Sequence, residues 1–235
     1  MIEMEKVPTG LRELDGLLGG GLPKGCIVLV AGGPGTGKTI LGTQFLYKGA
    51  TLYGDPGVFV SFGESSQRLR DFMTTLGWDF DKPIRDKKLT IMDLVVARTG
   101  GIDAIVDMIL DKVREMGARR LVIDSITAIS LASEKKIDSR ILVSLLHKAL
   151  EEAGCTTLLI TETPWGSAGI GSGVEEFVAD GIILMETFLE DAEYKRRLAI
   201  IKMRGTDHDT RRYKYTIVKG DGISIIPYPE ASTPR

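Results

Sequence analysis

Cys26-Ile27-Val28-Leu29-Val30-Ala31 runs into Gly32-Gly33-Pro34-Gly35-Thr36-Gly37-Lys38-Thr39, and Ile40-Leu41-Gly42-Thr43-Gln44-Phe45-Leu46 follows. The first run is apolar and rich in β-branched residues, as expected of a strand covered on both faces in a parallel sheet. The third run opens a helix. Between them lies a complete G-x-x-x-x-G-K-[ST] phosphate loop. A Gly-rich turn from strand to helix aims consecutive backbone N–H groups at one point, and the positive end of the helix dipole adds to the attraction for phosphate. The loop residues expected around the phosphates are Gly33, Gly35, Thr36, Gly37 and Lys38. Lys38 would reach the β- and γ-phosphates and the Thr39 hydroxyl would take a place on Mg²⁺. The correct flanks on both sides separate this reading from a plain tight turn.

The 235 residues, 43% of them hydrophobic, suit a single α/β domain over 1–235 with a loosely held tail at 228–235. A formal net charge of -2 supplies no global positive field for nucleic acid, although a local basic groove in an assembled ring stays open. Cys26 and Cys155 each start a predicted core strand and read as buried thiols in a reducing compartment. The N-terminus has no signal-peptide h-region, and no apolar run approaches the roughly twenty residues that span a bilayer. A soluble, cytoplasmic protein without a membrane partner is expected.

Outward from the loop, residues 1–25 are polar and then Gly-rich, and read as a loop delivering the chain into the first core strand. Val58 to Phe62 is a second strand, followed by a helix with Leu69, Phe72, Met73 and Leu76 on one face and Gly77 as its stop. A short strand at Leu89 to Met92 sits in a stretch of weak periodicity. Ile102, Ile105, Val106, Ile109, Leu110, Val113 and Met116 share the core face of the next helix. Arg119-Arg120-Leu121-Val122-Ile123-Asp124 then has the Walker B pattern. Asp124, at the carboxyl end of a buried strand, can hold Mg²⁺ directly or through water. Many strands end in Asp as a cap or turn, and the phosphate loop upstream is what favours the functional reading. A further helix carries Ile137, Ile141, Leu142, Leu145, Leu146, Ala149 and Leu150 inward. His147 lies in it and reads as a solvated or satisfied side chain. The strand Thr156 to Thr161 ends at Glu162, which should emerge on the same edge as Asp124. Gly166 to Gly173 is a glycine-rich loop. Four β-rich runs beginning at Gly181, Arg197, Tyr213 and Gly222 read as antiparallel strands or hairpins extending one edge of the sheet.

These motifs occur together in an order that resembles the KaiC-like branch of the RecA-type ATPases, over nearly the whole chain. The resemblance rests on Pro8-Thr9-Gly10-Leu11 with Asp15, Gly20 to Gly25, the phosphate loop, the strand at Val58, Gly173-Val174-Glu175-Glu176-Phe177 and Lys202-Met203-Arg204-Gly205-Thr206-Asp207-His208. It implies a RecA-like P-loop NTPase fold: a mostly parallel central sheet flanked by helices, with antiparallel C-terminal strands. It also implies a ring, usually a homohexamer, with ATP between subunits. Lys202 and Arg204 carry over as residues reaching the neighbour's γ-phosphate, with His208 nearby. Cations supplied across an interface neutralise charge on the transferring phosphoryl group and make hydrolysis depend on assembly.

Two departures qualify the resemblance. Where the family has two adjacent acidic residues after the second strand, this chain has Gly63-Glu64. Glu64 is the candidate to orient the attacking water, with Glu162 assisting, and a Glu in the first turn of a helix is also simply stabilising. Where a self-phosphorylating module has Ser-Thr, this chain has Glu176-Phe177, which argues against autokinase activity. The sequence therefore predicts a Mg²⁺-dependent ATPase, ring-forming and of a regulatory or signalling kind, with ATP and Mg²⁺ as cofactors. Two alternatives stand beside it. One is a recombinase-like DNA-binding ATPase, disfavoured because the Gly166 to Gly173 loop has no Lys or Arg. The other is a slowly turning, nucleotide-gated scaffold whose output passes through partner proteins.

Overall fold

The computed structural model describes residues 4–94, 101–127, 136–164 and 178–226. The chain starts with two short strands, β1 (Lys6–Val7) and β2 (Leu22–Pro23), paired antiparallel on either side of helix α1 (Arg12–Leu17) in sequence. The expected loop over residues 1–25 is thus partly ordered. Leu11, Leu14, Leu18 and Leu22 are fully buried, spaced by three and four residues. The Thr9 amide and hydroxyl both donate to Asp15 Oδ1 at 2.7 Å. The glycines after the helix masked this short signal.

β3 (Ile27–Gly32) leads through the loop to α2 (Lys38–Lys48). There follow β4 (Gly57–Ser61), α3 (Ser66–Thr75), α4 (Asp81–Arg85), β5 (Leu89–Asp93), α5 (Gly101–Met116) and β6 (Arg120–Asp124). The last part comprises α6 (Lys136–Ala153), β7 (Thr156–Glu162), β8 (Gly181–Glu190), β9 (Glu193–Met203), β10 (Arg212–Val218) and β11 (Gly222–Ile225). Among the described residues the main sheet runs β11-β10-β9-β8-β3-β7-β6-β4-β5. From β8 to β5 neighbouring strands are parallel, and from β8 to β11 they are antiparallel. This is the expected RecA-like arrangement with one correction. The sequence places β8 among the antiparallel strands, but it pairs parallel with β3 from Val28↔Gly181 to Gly32↔Met185, and only its other side turns antiparallel to β9. An apolar run does not encode its direction.

Alternate residues of the parallel strands feed two cores. Val28 and Val30 of β3, Phe59 of β4, Val122 of β6 and Leu158 and Ile160 of β7 face the layer containing Phe45, Trp78 and Phe80. Ile27, Leu29, Val58, Val60, Leu121, Ile123 and Leu159 face the layer of α5 and α6. Both faces are covered, so these strands read as continuous apolar runs. Leu69 and Met73 of α3 are buried, but Phe72 is 42% exposed, against expectation, with the Arg68 guanidinium 5.3 Å from its ring centroid. The helix buries a narrower stripe than its apolar residues suggested. Cys26 and Cys155 are free and buried, and burial pushes each thiol up to about 12. No helix among the described residues is long and apolar enough to cross a membrane. The Gly166 to Gly173 loop, the Glu176-Phe177 pair and the tail at 228–235 lie outside the described residues.

Candidate functional site

Parallel strands bring their carboxyl ends to one edge, and that edge is where open α/β sheets bind ligands. Here the register sets Gly32 opposite Glu162 and Ser61 opposite Asp124, so the ends of β3, β7, β4 and β6 meet. The loop leaving β3 requires glycine at two points. A Cβ on Gly32 would lie 2.1 Å from the Met185 carbonyl oxygen, and Gly37 caps α2 at a φ of +89°. Thr36 Oγ1 donates to the Gly33 carbonyl at 2.9 Å and folds the loop on itself.

Lys38 is the first residue of α2, and its side chain is buried. Its Nζ donates to the carbonyls of Gly32 at 2.8 Å and Gly33 at 2.9 Å. Burial lowers its pKa, while the charges of Glu162 and Asp124 act in the opposite sense. Thr39 Oγ1 donates to Asp124 Oδ2 at 2.6 Å, a contact spanning 85 residues of sequence. Burial raises the Asp124 pKa, the Thr39 bond and the Lys38 charge oppose this, and Glu162 and Glu64 push it higher still. Three carboxylates thus share a neighbourhood with one buried lysine. The buried Thr163 hydroxyl, next to Glu162, makes no hydrogen bond among the described residues, while its backbone amide donates to the Gly32 carbonyl at 3.0 Å.

The oxygen pair of Thr39 and Asp124 is the donor type that Mg²⁺ accepts, since this ion takes one or two carboxylates and fills its shell with water and phosphate. Among the described residues no cluster of three or more His, Cys, Asp or Glu forms a separate metal site. Glu64 is half-buried, and its backbone is fixed by Ser61, whose Oγ donates to the Glu64 carbonyl at 2.6 Å and accepts from the Glu64 amide at 3.1 Å.

Lys202 and Arg204 lie elsewhere. Lys202 pairs with Ile182 and Met203 with Gly181, at the amino end of β8, whose neighbour there is Val28. Through Ile182 the register sets Lys202 level with Leu29, and through Asp180 it sets Arg204 level with Ile27, three and five residues short of Gly32, or about 10 and 17 Å along β3 at roughly 3.3 Å per residue. Lys202 Nζ donates to the Ala179 carbonyl at 2.7 Å, and Arg204 Nη1 meets Asp180 Oδ1 at 3.2 Å. His208 has Nδ1 3.2 Å from the Thr206 carbonyl and a buried Nε2 that makes no hydrogen bond among the described residues. The site residues therefore form two groups: Lys38, Thr39, Asp124, Glu64 and Glu162 at one end of the sheet, and Lys202, Arg204 and His208 toward the other. His147 is in the second region, with Nε2 3.7 Å from Asp180 Oδ2.

Sequence reasoning missed a support of the phosphate loop from the antiparallel strands. Arg196 Nε donates to the Gly35 carbonyl at 3.0 Å, the Tyr215 hydroxyl donates to the Thr36 carbonyl, and Ile217 packs where a Gly37 side chain would be. Burial raises the Tyr215 pKa and the Arg196 charge opposes it. The spacing of Tyr213, Tyr215 and Ile217 announces a shared strand face. It does not say that the face abuts residues more than 170 positions earlier.

Comparison with known proteins agrees with this geometry. The family model described as "ATPase: KaiC" matches residues 7–230. A UPF0273 protein of Methanocaldococcus jannaschii is 34% identical over 95% of this chain and 97% of its own length. The circadian clock oscillator protein KaiC of Thermostichus vulcanus is 35% identical over 96% of this chain but only 45% of that protein. Among solved structures, a KaiC-like protein from Pyrococcus horikoshii OT3 is 40% identical, covers 96% of this chain and all of that one, and superposes with a TM-score of 0.88. The match over residues 7–230 and the relatives that cover nearly the whole chain, on a sheet whose carboxyl edge carries the phosphate loop with Thr39 against Asp124, place this chain in the KaiC ATPase family.

Proposed function

We propose that the protein is a Mg²⁺-dependent ATPase that works as a ring, a homohexamer in the family's usual manner, with ATP bound between subunits and a regulatory output. The observation that carries this reading is the division of the site residues between opposite ends of the sheet. Phosphate-binding groups at one end need cations to neutralise charge during transfer, and the candidate cations are out of reach within one chain. Head-to-tail subunits closing into a ring would bring the two ends together.

In this reading the loop amides and Lys38 bind phosphate, with Lys38 Nζ exchanging its Gly32 and Gly33 carbonyls for phosphate oxygens. Thr39 Oγ1 and the Asp124 carboxylate would hold Mg²⁺, which when bound neutralises phosphate charge. Arg196 and Tyr215 keep the loop carbonyls turned away from the anion. Glu64 orients the attacking water and accepts its proton, and Lys202 and Arg204 of the adjacent subunit stabilise the charge that spreads over the transferred group. ATP hydrolysis by the wild-type protein, lost in Lys38→Ala, is the expected result. Hydrolysis unchanged in that variant contradicts the assignment.

A second reading, a slowly turning nucleotide-gated scaffold, draws on Gly63. A side chain there would meet nothing within 4 Å, so space is not what keeps a carboxylate out. Turnover measured beside assembly size against ATP concentration separates the two. Assembly that follows ATP while turnover stays negligible favours the scaffold.

A further inference from the structure

Ala179-Asp180, immediately before β8, makes a set of bonds that the ATPase reading leaves unused. Ala179 accepts from Lys202 Nζ at 2.7 Å through its carbonyl. Asp180 holds Arg204 twice, accepting its backbone amide at the carbonyl oxygen, 2.9 Å, and its guanidinium at Oδ1, 3.2 Å. The other carboxylate oxygen of Asp180 accepts the Ile27 amide at 3.0 Å, and the Asp180 amide donates to the Ile27 carbonyl at 2.8 Å. Asp180 is therefore pinned to the first residue of β3, the strand that ends in the phosphate loop. His147 from α6 stands beside the same carboxylate.

Two neighbouring cations on flexible stems repel one another. Burial lowers the Lys202 pKa, the Arg204 charge lowers it further, and Asp180 is the counter-charge that opposes both. The Arg204 side chain is 56% exposed, so its pair with Asp180 adds little to stability. What such a pair supplies is direction: it fixes where the guanidinium points.

We propose that Ala179-Asp180 is a clamp that positions Lys202 and Arg204 toward the phosphate of the adjacent subunit, and that Asp180 is the positioning residue for Arg204. The proposal rests on the trans reading of Lys202 and Arg204. Because Asp180 also anchors β3, a competing explanation is that it acts through the phosphate loop of its own chain, and the test must tell these apart.

Subunit mixing does so. Asp180→Asn keeps the size of the side chain and removes its charge. It is expected to lower kcat by about tenfold, the scale of coupling between groups in contact, with KM for ATP and the unfolding temperature unchanged. A Lys38→Ala subunit has no working phosphate loop but an intact clamp. Mixed with Asp180→Asn, it should restore turnover above the sum of the separate proteins, since it presents Arg204 correctly to the Asp180→Asn subunit. The control mixes Arg204→Ala with Lys38→Ala. Recovery in the control without recovery in the Asp180→Asn mixture overturns the clamp alone, and so does wild-type kcat in Asp180→Asn. Recovery in neither mixture overturns the trans reading and the clamp with it. If Asp180→Asn does not fold, Asp180→Glu, which moves the carboxylate by one methylene, is compared in the same mixtures with the same expected recovery.

Discussion

Glu64 sits on a backbone locked by Ser61, and its charge is felt at Asp124. Its neighbour Gly63 faces open space. If Glu64 orients the attacking water, Glu64→Gln should lower kcat by about a hundredfold, the low end of general-base contributions, while ATP binding measured by calorimetry stays intact. A carboxylate restored one position earlier, in Gly63→Glu/Glu64→Gln, should recover part of that loss. An unchanged kcat in Glu64→Gln would remove Glu64 from the mechanism. Lys38, the residue that opens α2, has its ammonium held over the loop by the carbonyls of Gly32 and Gly33.

At the scale of elements, β6 does two jobs. Its carboxyl end presents Asp124, while its first residue, Arg120, is a fully buried cation. Arg120 donates through Nε and Nη2 to Asp55 Oδ2 at 3.0 and 2.8 Å, and through Nη1 to the carbonyls of Pro8 and Phe45 at 2.8 and 3.1 Å. Its guanidinium stacks 4.7 Å from the Phe45 ring centroid. The N-terminal segment, the end of α2 and the central sheet are thus joined at one residue. Asp55→Ala leaves this cation buried without its carboxylate, which costs about 3–5 kcal/mol, measurable by urea unfolding. The double variant Asp55→Ala/Arg120→Met should lose less. A loss below about 1 kcal/mol in Asp55→Ala, the size of an exposed pair, would contradict this account. The sequence displays Arg119-Arg120 as a basic pair without distinguishing the exposed residue from the buried one.

The same limit governs what else the sequence discloses. Strand, loop and helix from Cys26 to Leu46 are legible because the chemistry is local and each flank constrains the other. Thr39 and Asp124 are legible as a pair only because parallel β3 and β6 must end on one edge. Arg196, Tyr215 and Asp180 are not legible. Their roles depend on which surfaces meet across more than 150 residues, and a β-branched or aromatic run encodes its face but not its neighbour. α1 is illegible for a simpler reason: six residues followed by glycines carry too few turns to show a period.

For the whole molecule, the sheet has a polarity. Lys38, Thr39 and three carboxylates gather at the carboxyl ends of β3, β4, β6 and β7, and Lys202 and Arg204, with Asp180 beside them, gather near the amino end of β8. In the proposed reading these are two halves of one site, joined only between subunits. The most direct measurement mixes Arg204→Ala with Lys38→Ala protein, each expected to be inactive by itself, and follows phosphate release against the ratio of the two. The account predicts activity that rises to a maximum in the mixture, because Arg204 of a Lys38→Ala subunit completes the loop of its Arg204→Ala neighbour. Activity that stays at zero at every ratio, in mixtures shown by mass to contain both chains, would contradict it.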